Sequence, residues 1–124
     1  MPWDICVDFD GVVHGYQSGW QGACEIPDPP VPGAFDALRE YMQAGMQVNL
    51  YSSRSKEPGA IEAMKTWFRL NGAPDLADCL EFPTQKPAAN MTIDDRAFCF
   101  QGDFPTARWI RDFLPWNKQT RKEA

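Results

Sequence analysis

What the chain has little of narrows it first. Its 12 Lys and Arg stand against 17 Asp and Glu, a formal net charge of −5. That excludes a protein-wide electrostatic grip on nucleic acid, because affinity for a polyanion comes mainly from cations that neutralise phosphates. Only a local basic contact is left open. The chain has one histidine and four cysteines, Cys6, Cys24, Cys79 and Cys99, and no CxxC spacing. A thiolate or imidazole cluster for a soft metal is therefore not on offer. Cys6 and Cys99 sit in apolar runs, where a thiol acts as a small hydrophobe, and all four are expected to be reduced. No apolar run approaches the roughly 18 residues needed to cross a bilayer, and Met1 is followed by Pro2, Trp3 and Asp4 without a basic stretch. The expectation is a cytoplasmic protein with no membrane contact.

What is there has the length of one domain. With 124 residues, 44% of them hydrophobic, the chain can build one core. The domain is expected to run over residues 1–117, with a polar, frayed tail at 118–124. Apolar runs predict strands at 4–9, 46–51 and 90–93, a weak one at 80–82 and an edge strand at 97–100. Helical spacing of Phe35, Leu38 and Met42, and of Ile61, Met64 and Phe68, predicts helices over 33–44 and 59–70. Each is opened by Pro-Gly and closed by Gly45 or Asn71-Gly72. A last helix is expected over 105–114, with Ala107, Ile110 and Leu114 inward. Alternating strands and helices imply an α/β fold: a doubly wound parallel sheet of about five strands with helices on both faces. Residues 11–32, rich in Gly, Pro and aromatics, read as an ordered flap, with room for a short hairpin.

The chemistry gathers at strand ends. Ile5-Cys6-Val7 is an uncharged run that stops at Asp8 and Asp10, one residue apart, followed by Gly11. The second strand stops at Ser52-Ser53-Arg54, and the strand at 90–93 stops at Asp94-Asp95-Arg96. In a parallel sheet the loops after successive strands open on one edge, so these groups and Lys86 can converge. Clustered carboxylates persist only with a cation, a shared proton or water between them. Hard oxygen ligands make Mg²⁺ the expected ion. A lysine and a hydroxyl beside that ion suit a phosphoryl group.

These residues resemble, in order, the four motifs of the haloacid dehalogenase superfamily. The first is Asp8-Phe9-Asp10-Gly11-Val12-Val13, the second Ser52, the third Lys86-Pro87 and the fourth Ile93-Asp94-Asp95-Arg96. Ser52-x-Arg54 and Asp94-Asp95-Arg96 are also similar to polynucleotide 3′-phosphatase domains and to small capless phage or bacterial members. The resemblance implies a Mg²⁺-dependent phosphatase for a phosphomonoester, with nucleotide or polynucleotide phosphate ends among its substrates. It makes Asp8 the nucleophile that forms an aspartyl-phosphate. Asp10 would protonate the leaving oxygen and then deprotonate water. Ser52 would donate to a phosphoryl oxygen, and Lys86 would offset negative charge. Asp8, Asp95 and the backbone carbonyl of Asp10 would hold Mg²⁺, with Asp94 acting through water. Lys86 departs from the pattern, lying eight residues before Asp94, too few for the usual helix; Lys65 is a poorer substitute. The segment before the first helix is too short for a helical cap, so the site is expected to be open, closed at most by the flap.

Blander roles compete at each position. Asp94-Asp95 and Ser52-Ser53 suit helix caps or turns. Arg54 and Arg96 suit phosphate contact or surface ion pairs equally. His14 reads as a packing or loop residue close enough to Asp10 to touch substrate. Trp67, Trp109 and Trp116 read as core or core edge, whereas Trp20, in the flap, could stack on a base or sugar. Two rivals to the enzyme are a receiver-like phospho-acceptor and a non-catalytic Mg²⁺ or phosphate-binding module. A receiver carries its acidic pair first and its acceptor Asp later, the reverse of the order here. No obligate protein partner is inferred.

Overall fold

The computed structural model describes residues 3–118. At its centre β1 (Asp4–Asp8) lies between β2 (Gln47–Tyr51) and β3 (Met91–Ile93), parallel to both. Ile5, Cys6 and Val7 are buried, as suits a strand paired on both edges. Register fixes what comes next. Asp8 lies opposite Tyr51 and Val7 opposite Ile93, so Ser52 and Asp94 emerge beside the end of β1.

Three helices follow the expected pattern or extend it. They are α1 (Ala34–Gln43), α2 (Ala60–Leu70) and α3 (Pro74–Cys79). At the end of α1, Gly45 takes φ 88° while its N–H donates to Met42 O and that of Met46 donates to Tyr41 O. This closure satisfies the last carbonyls and needs a residue without a Cβ. The short α3 was not expected. Its six residues are too few to show periodicity, although Pro74 stands at its first turn and Leu76 and Ala77 are buried.

An aromatic cluster secures the strand end. Phe9 is fully buried and meets Trp67 edge-on at 5.1 Å, and Trp67 in turn meets Phe68 at 5.1 Å. Burying a phenylalanine side chain contributes roughly 2–3 kcal/mol. Because successive side chains of an extended chain point oppositely, anchoring Phe9 inward directs Asp8 and Asp10 away from the core.

The second half of the chain departs from expectation. The sheet has three strands, not about five. Residues 80–82 contribute one bridge, Asn49 to Glu81, because α3 occupies the preceding residues and leaves little extended chain. Residues 97–100 form no strand. Phe98 packs on Trp109 at 5.2 Å rather than on the sheet, and Cys99, although in an apolar run, is exposed rather than packed as a small hydrophobe. The last helix, α4 (Ala107–Arg111), is half the expected length, capped by the Thr106 hydroxyl accepting from Trp109 N–H. Ala107, Ile110 and Leu114 lie exposed rather than inward, since among the described residues no strand pairs with the outer edge of β3 to carry this helix back onto the sheet. Trp20, Trp109 and Trp116 are likewise about half exposed; of the tryptophans read as core, only Trp67 is buried. The expected frayed tail falls largely on 119–124, outside the described residues. Among the described residues no helix is long and apolar enough to cross a membrane.

Candidate active site

A cavity of about 330 Å³ opens at the carboxyl edge of the sheet. Asp8 reaches it from the end of β1 and Asp10 from just beyond, Ser52 and Ser53 from the end of β2, and Asp94, Asp95 and Arg96 from the end of β3. Lys86 joins them from the loop before β3, and Tyr16 from the flap. The strand ends thus converge as parallel topology requires. Lys65 does not line this cavity: its ammonium lies 5.4 Å from the Phe82 ring centre and 4.0 Å from Glu62.

One wall is acidic. Asp8, Asp94 and Asp95 each offer a carboxylate oxygen within 4.8 Å of the others. Burial first, then a hydrogen bond shared with Asp95, then the charges of Asp94, Asp95 and Asp10 push the Asp8 carboxyl up to about 8. Asp95 is 3% exposed at its side chain, and its Oδ1 is buried with no hydrogen-bond partner. A buried anionic oxygen without a donor is costly. Hard oxygens, mutual repulsion and an orphaned Oδ1 are the conditions a divalent cation relieves, so the donor set fits Mg²⁺. Gly11 is what lets the wall close. It takes φ 86°, and a Cβ there would collide with the Asp95 carboxylate.

The other wall is clamped. Both oxygens of Asp10 are used: Arg54 Nη2 and His14 Nδ1 contact Oδ1 at 2.9 Å, while Arg54 Nε donates to Oδ2 at 2.9 Å and Ser52 Oγ at 3.0 Å. Burial alone would raise this carboxyl, but the hydrogen bonds from His14 and Arg54, the Arg54 charge and the Ser52 hydroxyl hold it below the usual range. Arg54 is fully buried. Its Nη1 donates to the carbonyls of Gly22, Ala23 and Glu25, at 3.3, 3.0 and 3.1 Å. The guanidinium therefore latches the flap to Asp10, with the Trp20 ring centre 4.9 Å from its carbon.

His14 is fixed from behind. The backbone N–H of Asp28 donates to its Nε2 at 3.1 Å. Nε2 must then be the lone-pair nitrogen, which assigns the proton to Nδ1, where it is donated to Asp10. The flap is closed around this pair by Gly15 N–H to Pro29 O and Val31 N–H to Val13 O, a two-bond ribbon.

Of the residues singled out in the sequence, Asp8, Asp10, Ser52, Ser53, Lys86, Asp94, Asp95 and Arg96 all border the cavity. His14 and Arg54 are buried behind Asp10, without a place in the lining, and Trp20 covers Arg54. Ser52 also closes a capping box with Ser55, so its chemical and capping roles coexist. Asp94 likewise accepts from Arg96 N–H as a turn residue. Sequence reasoning missed Tyr16, which borders the cavity with φ 63°, and Asp28. Nothing local marks either one. Tyr51 could have been found, since it immediately precedes Ser52 at the strand end. A scan against protein-family models and searches of curated proteins and solved structures found no match to this chain.

Proposed function

We propose that the chain is a Mg²⁺-dependent phosphomonoester hydrolase acting through an aspartyl-phosphate. In this reading it is a capless phosphatase of the haloacid dehalogenase type, with that family's doubly wound topology. The observation that carries the reading is the grouping of Asp8 with Asp94 and Asp95 at the end of the central strand, facing the same cavity as Lys86 and Ser52.

Asp8, Asp95 and the Asp10 carbonyl would hold Mg²⁺, with Asp94 acting through water. The bound ion would neutralise the carboxylates and draw charge from the phosphoryl oxygens. Asp8, kept ionised in that company, attacks phosphorus: its oxygen forms the new bond as the ester P–O bond breaks. Lys86 offsets the charge of the phosphoryl group, and the Ser52 hydroxyl turns from Asp10 to a phosphoryl oxygen. Asp10 serves the two proton transfers unequally. Its clamp favours the ionised form, which suits accepting a proton from the water that cleaves the aspartyl-phosphate. Protonation of the leaving oxygen must work against the same clamp. An ionised Asp10 that activates water weighs against the second reading, a phospho-acceptor whose phosphorylated Asp8 outlives a catalytic cycle.

Candidate substrates are nucleotides, polynucleotide phosphate ends, sugar phosphates and phosphopeptides, and no obligate protein partner is invoked. Four unpaired cysteines fit a reducing compartment such as the cytoplasm. The test is Mg²⁺-dependent phosphate release from an aryl phosphate, lost in Asp8→Asn. Stoichiometric labelling of Asp8 without release of phosphate selects the phospho-acceptor. A wild-type chain inert with every phosphomonoester class overturns the enzyme.

A further inference from the structure

We infer that residues 96–118 form a platform for single-stranded nucleic acid, which leads a phosphorylated strand end into the acidic cavity. Apart from Arg96, the last residue of the fourth motif, the segment lies beyond the motifs around which the catalytic reading is built. In a chain of net charge −5 it carries Arg96, Arg108, Arg111 and Lys118 against Asp103 and Asp112, so the charge balance reverses locally. Its aromatics face outward: Phe98 is 44% exposed, Trp109 46%, Phe100 54% and Phe104 85%. They stand in two pairs, Phe98 with Trp109 at 5.2 Å and Phe100 with Phe104 at 4.8 Å. Aromatic faces interleaved with arginines are the chemistry that stacks bases and follows a sugar-phosphate backbone.

Position ties this surface to the site. A second cavity of about 150 Å³, walled by Phe98, Trp109 and Phe113, shares Arg96 with the acidic cavity. A ligand spanning both would set its phosphate among Lys86 and the carboxylates and its neighbouring base against Trp109. Trp116 Nε1 donates to Gly11 O at 2.7 Å and Asn117 Nδ2 to Gly15 O at 3.2 Å, so the segment is anchored to the loop that shapes the metal wall. The second aromatic pair gives the surface more stacking faces than one mononucleotide would use, which favours a strand. α4 is five residues long, too short to lie along a lipid surface as an amphipathic helix.

The platform rests on the phosphatase reading only for why a strand end enters the acidic cavity, and the two are separable. Fluorescence anisotropy of the full chain with a labelled oligothymidylate of about 12 nucleotides, single-stranded or duplex, with or without a terminal phosphate, is the measurement. Single strands are expected to bind more tightly than duplex, with affinity falling as salt rises. Trp109→Ala should weaken binding about tenfold, whereas Trp109→Phe retains most of it. Phe104→Ser, at a site too exposed to bear on folding, should weaken it about threefold. Arg108→Ala with Arg111→Ala should reduce the log–log salt slope by about two. No binding by the wild type, or binding that none of these changes alters, overturns the platform, even if an aryl phosphate is hydrolysed. Binding without hydrolysis of any phosphomonoester overturns the phosphatase reading alone. Self-association through this face, or capture by anionic vesicles in place of oligonucleotide, assigns another occupant and also defeats the inference.

Discussion

The two walls of the acidic cavity hold carboxylates from the same strand end and treat them oppositely. Asp8 meets other carboxylates and is pushed up to about 8; Asp10, two residues on, meets Arg54, His14 and Ser52 and is held below its usual range. Burial opposes charge at both. What differs is whether donors arrive with the burial. The acidic wall sets three carboxylates against one arginine at the limit of ion-pair distance, Arg96 Nε 4.0 Å from Asp95 Oδ2, and invites a further cation, while the clamped wall carries its own cation in Arg54 and needs none.

Breaking the acidic wall should have the largest effect. Asp8→Asn removes the proposed nucleophile and should lower aryl phosphate turnover by roughly a thousandfold or more, measured as phosphate release at saturating Mg²⁺. Residual turnover close to wild type would move the nucleophile elsewhere. Next comes the clamp. Arg54→Ala strands a buried carboxylate and should cost about 3–5 kcal/mol of stability by urea denaturation. Arg54→Lys should restore less than half of it, because one ammonium cannot reproduce the paired guanidinium contact. Limited proteolysis should then cut the flap near residues 22–25. Asp10→Asn keeps the shape but not the charge, and should lower turnover about a hundredfold.

Gly11→Ala tests the seam between the walls. It places a methyl against Asp95 at a positive φ, and should weaken Mg²⁺ binding about tenfold and destabilise the fold by about 1–2 kcal/mol. Titration calorimetry with Mg²⁺ reads the first effect.

The pH dependence of stability is the most diagnostic of the contrast. In EDTA, folded Asp8 titrates near 8 against about 3.9 unfolded, so the folded state binds more protons between those values. Stability should therefore fall as pH rises from about 4 to about 8. Mg²⁺, which binds the ionised form, should flatten that slope. Asp10 runs the other way: its depressed value contributes stability above about pH 4 that is lost as pH falls through the folded value. Denaturation curves that are the same with EDTA and with Mg²⁺ across this range would deny the acidic wall its cation.

Legibility followed locality. α1 and α2 were readable from the helical spacing of their inward residues, and β1 and β2 as short apolar runs buried without alternation; β3, exposed at Met91 and Thr92, was marked only by its short apolar run and the acids that follow it. The C-terminal third was not readable. Phe98, Phe100, Trp109 and Ile110 have the composition of a strand and a helix face, yet lie on the surface because no neighbour covers them. Hydrophobicity states what would be favourable to bury, and only the assembled chain shows whether a partner surface exists. Asp8, Asp10, Ser52, Asp94 and Asp95 were legible because they stand where an apolar run stops, which Lys86 and Tyr16 do not.

The sequence by itself determined which chemical groups end the strands, and parallel order then made Asp8, Ser52, Lys86 and Asp95 neighbours. It could not determine how Asp8 and Asp10 would differ. That depended on Arg54, 44 residues away, turning inward to Asp10, and on Asp28 N–H orienting His14. Proton affinity is set by the donors and charges within a few ångströms of a carboxylate, and those neighbours are supplied by tertiary contact, not by adjacency in the chain.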